Sequence, residues 1–249
     1  MSIIFLTEKC PCGSGKKFIN CCFRLHHKYQ KIYPPAKSIT KNKYIVIDKT
    51  LYNSYISKIE GFLNYHINQN LQTNLKDYGN LLFYIDKIMD MVYPYTDCHK
   101  GCDHCCYMTV GTSEFEAEYI KQYINRHWSN KERNELHSKV KKLKREHSEI
   151  FNPMFLVSES CNKTRIPCVF LKDGCCIIYP CRPSICRSYV SFSPSKICHD
   201  VLFNPNTTNI IAETDALSDV KEQLLVFFSS QAQHFRLFCA LPFWFDGFK

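Results

Sequence analysis

Glycine is scarce in this chain, with 8 residues in 249, so long flexible linkers are not expected. The chain also lacks the run of about twenty apolar residues that a membrane-spanning helix needs. Its most apolar segment, residues 224–245, is interrupted by Gln231, Gln233, His234 and Arg236. The opening residues, MSIIFLTEKC, carry no basic region, no long apolar region and no small-residue cleavage site of a secretory signal. These absences predict a cytoplasmic protein with no membrane as a partner.

Cysteine, by contrast, is abundant, with 16 residues. In a secreted protein such a number would indicate a disulfide framework. Three pairs are adjacent in sequence: Cys21 with Cys22, Cys105 with Cys106, and Cys175 with Cys176. Neighbouring cysteines rarely bridge to each other, and clustered cysteines in the reducing cytosol indicate metal binding. The cysteine content therefore predicts metal sites rather than disulfides.

The formal net charge of +9 counts every thiol as neutral. Four thiolates around one zinc ion carry a net charge of about −2, so about three such sites would leave the protein only mildly basic. The basic stretch 139–147, KVKKLKREH, is typical of a solvated helix face, with Leu136, Val140 and Leu143 on the opposite side. Nucleic acid is therefore an unfavoured partner that stays open, and the salt dependence of RNA binding would test it.

Hydrophobic periodicity predicts a mainly α protein. Apolar side chains recur at helical spacing in three segments: residues 51–72, 75–92 and 216–240. Pro94 ends the second of these helices. The capping-box pattern S-x-x-E predicts two more helix starts, at Ser113 and at Ser129, the second of which opens a basic helix over 131–148.

Residues 10–22, CPCGSGKKFINCC, contain GSGK, which is similar to part of a phosphate-binding loop. A Walker A loop has the form G-x-x-x-x-G-K-[ST], so its first glycine would stand at Cys10 and its hydroxyl residue at Lys17. Neither residue matches, which disfavours a nucleotide site. Four thiols spaced C-x-C-x8-C-C fit a closed tetrahedral zinc site instead: Cys10, Cys12, Cys21 and Cys22. Gly13 and Gly15 allow the tight turn that this site requires.

This segment resembles the SEC-C motif, whose pattern is C-x-C-G-S-G-x-K-[FY]-x-x-C-[CH]. The residues that match in place are Cys10, Cys12, Gly13, Ser14, Gly15, Lys17, Phe18, Cys21 and Cys22. The resemblance implies a zinc ribbon that holds Zn²⁺ and docks a protein partner as a small appendage. Because so short a segment has almost no core of its own, we expect metal binding to supply its folding free energy.

A second group of cysteines begins with the spacing C-x3-C-x2-C-C: Cys98, Cys102, Cys105 and Cys106. Four others follow well downstream: Cys168, Cys176, Cys186 and Cys198. Loops of the C-x2-C and C-x3-C type let two thiolates face one ion. A metal shared by the two groups would tie distant segments of the chain together. Three histidines stand beside these cysteines and are alternative ligands: His99, His104 and His199.

These eight cysteines resemble those of the YkgJ-like cysteine-cluster family, whose members are described as zinc- or iron-chelating domains. The resemblance covers residues 75–200 and includes further positions: Glu116, Leu171, Gly174, Ile178, Tyr179, Arg182, Pro183 and Arg187. It implies either two Zn²⁺ ions or one [4Fe–4S] cluster, since soft thiolates suit both. Some relatives with this pattern are iron–sulfur proteins that methylate lysines of flagellin, so the resemblance also admits an enzyme.

Two arginines and four further cysteines complete the set of notable residues. Arg182 and Arg187 flank the cluster, where they neutralise thiolate charge or pair with a carboxylate such as Glu116. The remaining cysteines are interpreted as ordinary buried or half-buried thiols: Cys161, Cys175, Cys181 and Cys239.

The predicted architecture is mainly α, with a zinc ribbon at 1–24, a linker at 25–47 and a small helical Cys-rich metal-chelating domain at 48–249. Polar residues and a Pro-Pro pair predict that the linker is irregular. The favoured function is a metal-binding protein without catalysis. An iron–sulfur enzyme such as a protein lysine N-methylase is one alternative. A redox sensor is another, and it needs a reactive thiol outside the metal sites, such as Cys161 or Cys175.

Overall fold

The computed structural model describes residues 4–10, 14–25, 29–32, 43–99, 101–158, 160–161, 164–191, 193–204, 206–207, 217–232 and 238–248. These residues are mainly helical, which confirms the predicted fold class. The helices are α1 (Cys22–Leu25), α2 (Lys49–His66), α3 (Leu71–Val92), α4 (Glu114–His127), α5 (Asn130–Glu146), α6 (Ser184–Ser188), α7 (Ser195–Phe203) and α8 (Lys221–Ser230). None of the helices in these ranges is both long enough and apolar enough to cross a membrane.

The chain folds into two compact units, each built from separate segments. The first unit comprises Met1–Leu63, Asn80–His99 and Arg187–Glu222. The second unit comprises Asn64–Gly79, Lys100–Cys186 and Gln223–Lys249. Two of the cysteines predicted for the second site, Cys98 and Cys198, belong to the first unit, and the other six belong to the second. The predicted domain boundaries at residues 24 and 47 stay a prediction.

The first unit contains a three-stranded antiparallel sheet. Its strands are β1 (Ile4–Phe5), β2 (Tyr29–Ile32) and β3 (Lys43–Asp48), arranged in the order β1–β3–β2. Strands β2 and β3 stand where the sequence predicts an irregular linker. The run from 44 to 47 explains β3, because aromatic and β-branched residues favour extended backbone. Pro34 and Pro35, which suggest the linker, lie outside the described residues.

Helices α2 and α3 follow the prediction with shifted ends. Helix α2 ends at His66 and α3 begins at Leu71, so both boundaries come earlier than predicted. Helix α3 ends at Val92, two residues before Pro94, as predicted. The buried stripe on α3 is also confirmed and consists of Leu75, Tyr78, Leu81, Leu82, Ile85, Ile88, Met89 and Val92.

Both predicted capping boxes are present at the starts of α4 and α5. In each, the serine hydroxyl accepts a hydrogen bond from the backbone N–H of the glutamate three residues later, and that glutamate accepts one from the serine N–H. The serines are Ser113 and Ser129. Helix α5 buries Leu136, Val140 and Leu143 and leaves its lysines exposed, which confirms the predicted amphipathic helix.

The predicted helix over 216–240 is wrong at its C-terminal end. Helix α8 ends at Ser230, and β7 (Phe238–Ala240) pairs antiparallel with β4 (Gly111–Ser113). Thr112 and Cys239 lie opposite each other in this pair, and both are fully buried. Buried backbone amides and carbonyls need partners, and strand pairing provides them here. The pairing joins residues far apart in sequence, so apolar periodicity could not reveal it.

The second unit has a compact apolar core that surrounds part of the cysteine-rich region. Phe170 is fully buried and packs edge-on against Phe245, with ring centroids 5.0 Å apart. The core includes residues from α4, α5 and the C-terminal segment: Ile120, Ile124, Leu136, Val140, Leu143, Ala240 and Leu241. Cys168 and Cys176 are partly buried and pack against this core. Cys168 and Cys176 therefore lie on an apolar scaffold.

Candidate metal centres

The N-terminal motif begins as a small hairpin. Lys9 pairs with Lys17 across it, and the Cys10 N–H donates to the Lys16 carbonyl at 2.8 Å. Gly15 turns the chain between them with a φ of +73°, a left-handed angle that glycine adopts without strain. The predicted role of this glycine is confirmed. The hairpin brings Cys10 back toward the cysteines that follow it in the chain.

Three sulfurs of this motif converge, and we call them the N-terminal cluster: Cys10, Cys21 and Cys22. Their Sγ atoms all lie within 4.8 Å of one another. The three residues are 4%, 5% and 1% exposed. Tetrahedral zinc–thiolate bonds of about 2.3 Å place sulfurs about 3.8 Å apart, so this donor set fits one zinc-sized ion. The predicted fourth ligand, Cys12, and the predicted turn residue Gly13 lie outside the described residues.

Two neighbours support the N-terminal cluster beyond its ligands. The Ser14 hydroxyl lies 3.1 Å from the Cys21 Sγ, and a hydrogen bond between the two groups orients the sulfur. Phe18 is fully buried against the cluster and packs edge-on against Phe23, with ring centroids 5.7 Å apart. Cysteine spacing does not reveal the role of Ser14, although the serine is part of the motif pattern.

The second unit contains another set of cysteines whose thiols interact, although they come from separate segments of the chain. We call this set the second cluster: Cys105, Cys106, Cys168, Cys176 and Cys186. The first two lie in a 3₁₀ turn at His104–Tyr107, and Cys186 lies in α6. The backbone N–H of Cys168 donates to the carbonyl of Cys106 at 2.8 Å, which ties the downstream segment to this turn.

A two-residue hairpin positions Cys176 of the second cluster. Strand β5 (Leu171–Lys172) pairs antiparallel with β6 (Cys175–Cys176), so Cys176 lies opposite Leu171. Asp173 and Gly174 form the turn with φ values of +50° and +71°. Two left-handed residues in succession are typical of the type I′ turn that Asp-Gly favours, because its twist matches that of paired strands. The turn thus sets which residues of β6 face which residues of β5.

The thiols of the second cluster alter one another's pKa values. A hydrogen bond from the Cys106 thiol lowers the pKa of Cys105 to about 7, and the same bond raises the pKa of Cys106. Burial raises the pKa of Cys168 to about 12, and the nearby Cys176 adds to the increase. Burial also raises the pKa of Cys186, with a further increase from the neighbouring thiols. Neighbouring thiolates repel each other because both are negative, and a cation bound between them would offset that repulsion.

The second cluster is more open than the N-terminal cluster. Among the described residues, the N-terminal cluster is the one group of three or more candidate ligands whose donor atoms all lie within 4.8 Å. The Cys105 residue is exposed, and the other four are half-buried. No disulfide joins any of the described cysteines. The second cluster therefore contains thiol donors that suit a soft metal, but its sulfur atoms are less closely grouped than those of the N-terminal cluster.

Three further cysteines belong to the predicted second site. Cys98 is in the first unit, where its Sγ accepts a hydrogen bond from the Ser191 N–H at 3.4 Å. Cys198 lies in α7 of the same unit. Cys102 belongs to the second unit and follows Gly101, which has a φ of +94°. The predicted ligand set of eight cysteines stays a prediction.

The two arginines near the second site have different surroundings. The Arg187 residue is 3% exposed, and its guanidinium pairs with the Asp86 carboxylate at 2.5 Å rather than with Glu116. The Arg182 guanidinium stacks over the Tyr179 ring at 4.0 Å. Its positive charge helps the Cys106 hydrogen bond to lower the pKa of Cys105. This direction agrees with the charge-balancing role expected for Arg182.

The remaining cysteines and the candidate histidines have ordinary surroundings. Cys181 and Cys239 are buried, whereas Cys161 and Cys175 are half-buried, which agrees with the burial predicted for them. The His99 Nδ1 lies 2.6 Å from the carbonyl oxygen of Asp97. The ring of His199 is 59% exposed. His26 and His27 lie outside the described residues.

Comparison with known families supports the interpretation of the N-terminus. Residues 7–24 match the family model described as the SEC-C motif, which confirms that resemblance. The match spans a short part of the 249 residues. Comparison with curated proteins and comparison with solved structures each gave no match. The YkgJ-like resemblance of the second group of cysteines stays a prediction.

Proposed function

We propose that the protein binds metal ions at two separate cysteine sites and that the N-terminal site is a structural zinc ribbon. Convergence of the Cys10, Cys21 and Cys22 sulfurs inside a SEC-C segment is the observation that carries this proposal. Cys12 is the fourth ligand in the proposal, and the Ser14 hydroxyl orients Cys21. Four thiolates close the coordination of zinc and leave no position for a substrate, so this site is structural.

The ribbon in this proposal docks a protein partner. Support comes from the exposed residues around the N-terminal cluster. Lys16 and Lys17 are exposed, and Ile19 is 38% exposed beside them. Exposed positive charges and an exposed apolar side chain close together in the chain suit an acidic protein segment. The proposal also places the protein in a reducing compartment, the cytoplasm, because its thiols must stay reduced to bind metal.

The second cluster in this proposal chelates zinc or iron within the second unit. Its support is the electrostatic interaction among five thiols, four of which lie in a turn, a hairpin and a short helix, while Cys168 is tied to that turn by its backbone hydrogen bond. Soft thiolate donors select zinc or iron–sulfur clusters over hard cations such as Mg²⁺. Cys102 belongs to the same unit and is a further ligand that the cysteine spacing predicts.

An iron–sulfur enzyme is the second candidate function. Its support is the set of five interacting thiols in the second cluster, which includes the four cysteines that a [4Fe–4S] cluster requires. Cysteine thiolates also hold [4Fe–4S] clusters, which serve in electron transfer and group-transfer chemistry. A protein lysine N-methylase is the enzyme class proposed for this candidate.

Elemental analysis of anaerobically purified protein, combined with its visible spectrum, tests both candidates. Zinc with no colour supports the metal-binding protein, whereas iron with a brown absorption near roughly 400 nm supports the enzyme. Cys21→Ser should reduce zinc content at the ribbon, and Cys176→Ser should reduce metal content at the second cluster. Cys161→Ser is the control and should leave the metal content unchanged. A native protein with paired, oxidised thiols and no metal would contradict the whole proposal.

A further inference from the structure

Two capping boxes with the same S-x-x-E pattern have very different surroundings in the second unit. Glu132 caps α5 at the surface, and its Oε2 accepts from the Ser129 N–H and hydroxyl, both at 2.7 Å. Glu116 caps α4 and is 2% exposed. A capping box needs one carboxylate oxygen at the helix start, and an exposed glutamate provides it without desolvation. Burial of Glu116 therefore requires a further explanation.

The two carboxylate oxygens of Glu116 have separate partners. Its Oε2 accepts from the Ser113 hydroxyl at 3.1 Å and from the Ser113 N–H at 3.5 Å, which completes the cap. Its Oε1 accepts from the Ser184 N–H at 2.7 Å, the Ser184 hydroxyl at 2.8 Å and the Tyr78 hydroxyl at 3.0 Å. Oε1 thus accepts three hydrogen bonds that have no role in capping α4.

Ser184 is the residue that links Glu116 to the second cluster. It is the first residue of α6, and Cys186 follows it two positions later in the same short helix. The Cys186 thiol interacts with those of Cys168 and Cys176. Because a helix of five residues has few hydrogen bonds of its own, an outside acceptor at its first residue strongly limits its orientation.

The energetics also favour a specific role for this carboxylate. A buried charged group is costly unless hydrogen bonds replace its hydration. The five donors from Ser113, Ser184 and Tyr78 provide that replacement for Glu116. Bonds from neutral donors to a charged acceptor are short and directional, so they fix the position of Ser184 more precisely than an apolar contact could.

We propose that Glu116 is a positioning residue for the second cluster, whose Oε1 holds the start of α6 so that Cys186 stays beside Cys168 and Cys176. The metal-binding part of this inference rests on the proposed function. The positioning part concerns the protein without metal and can be tested independently. Glu132 offers a matched control, because it has the same capping role and lacks the burial of Glu116.

The first experiment measures alkylation of reduced, metal-free protein by iodoacetamide, with rates assigned to single cysteines by mass spectrometry of peptides. Glu116→Ala should increase the alkylation rate of Cys186 and leave the rates of Cys21 and Cys22 unchanged. Glu132→Ala should leave the Cys186 rate at its original value. Equal Cys186 rates in Glu116→Ala and Glu132→Ala would overturn the proposal.

The second experiment titrates Co²⁺ into full-length protein in which Cys21→Ser and Cys22→Ser remove the ribbon signal. The thiolate-to-cobalt absorption band then reports the second cluster. Glu116→Ala should weaken Co²⁺ binding by about 10- to 100-fold, the range found when partners of metal ligands are removed. Glu116→Gln should recover most of the affinity, because its amide oxygen still accepts from Ser184. Affinity in Glu116→Ala equal to that in Glu132→Ala would contradict the positioning role.

The two experiments separate the inference from the proposed function. If the original protein binds no Co²⁺ at the second cluster, the proposed function fails there, and the alkylation rates still decide the positioning role. If Glu116→Ala loses its fold by circular dichroism, Ser184→Ala replaces it, because that change removes one donor to Oε1 and leaves the cap intact. Ser184→Ala should raise the Cys186 alkylation rate in the same direction, and an unchanged rate would overturn the proposal.

Discussion

The N-terminal cluster takes its described sulfurs from residues 10–22, whereas the second cluster takes its sulfurs from residues 105–106 and 168–186. Each cluster also has a different apolar environment. The N-terminal cluster packs on Phe18, with Leu6 and Phe23 at its edge. Part of the second cluster packs on a large core that includes α4 and α5.

This difference indicates how each site depends on metal. Because the N-terminal segment packs on one fully buried aromatic ring, we expect its folding to depend on the metal ion that the proposal places there. The second cluster lies on a core that folds by burial of apolar surface, so its scaffold persists without metal. For the metal site proposed at the second cluster, we expect the affinity to depend on how precisely the scaffold holds the thiols.

Metal removal should produce the largest difference between the two regions, measured as protection of their backbone amides from hydrogen exchange. After exhaustive chelation under reducing conditions, backbone amides of residues 4–25 should lose their protection from hydrogen exchange. Structural zinc supplies about 10–16 kcal/mol of folding free energy in comparable small motifs. Amides of α4 and α5 should stay protected, and hydrogen exchange with mass spectrometry measures both. Continued protection of residues 4–25, with metal loss verified by elemental analysis, would contradict the comparison.

Alkaline pH should reveal the protonated thiols of the second cluster in metal-free protein. Burial raises the pKa of Cys168 from 9.0 to about 12. Its stabilising contribution is therefore complete below pH 9 and is lost as pH rises toward 12, because the unfolded chain releases the proton first. Chemical denaturation should show a loss of up to a few kcal/mol, since one pKa unit corresponds to about 1.4 kcal/mol.

Single cysteine variants provide the controls for the alkaline experiment. Cys168→Ser should reduce the loss of stability above pH 9, because it removes the titrating thiol. Cys161→Ser should show the same loss as the unaltered protein. An identical pH dependence in both variants would refute the assignment of the effect to Cys168.

Alanine substitution of two comparable glycines should give the smallest difference between the two regions in metal retention and in stability. Gly15 near the N-terminal cluster and Gly174 near the second cluster have φ values of +73° and +71°. Alanine at either position adopts a left-handed angle at a cost of about 1–2 kcal/mol. Gly15→Ala should weaken zinc retention against a competing chelator, since folding and metal binding are one process there. Gly174→Ala should lower the unfolding free energy of the metal-free protein.

Two measurements on both glycine variants test this difference: chemical denaturation gives the unfolding free energy, and chelator competition gives the zinc retention. A Cβ at Gly15 would meet no atom within 4 Å, and one at Gly174 would come within 3.7 Å of the Gly101 carbonyl oxygen. Steric conflict is therefore small at both positions, and the backbone angle accounts for the effect. The comparison is wrong if Gly15→Ala destabilises the metal-free protein as much as Gly174→Ala does.

Much of the local structure could be predicted from the residues. The capping boxes at Ser113 and Ser129, the buried stripes of α3 and α5, and the turn at Gly15 all follow the prediction. These features depend on residues within a few positions of one another, so propensity and periodicity are sufficient to identify them. The same holds for the N-terminal cluster, whose thiols are close together in the chain.

Features that join distant residues could not be predicted in this way. Strand β7 pairs with β4 across more than a hundred residues, and a continuous helix is the wrong prediction there. The Arg187 guanidinium pairs with Asp86, which cysteine spacing could not indicate. Such contacts form because buried backbone and charged groups need partners, and the fold decides which partners lie near.

Sequence alone specified the chemical character of the protein: abundant thiols, a helical body and a metal motif whose ligands are neighbours along the chain. The approach of Cys168, Cys176 and Cys186 to Cys105 and Cys106 depends on the folded second unit, as does the use of both Glu116 oxygens. The reason is physical. Short-range chemistry is encoded by adjacent residues, whereas the meeting of distant groups requires that apolar burial first offset the entropy of closing long loops.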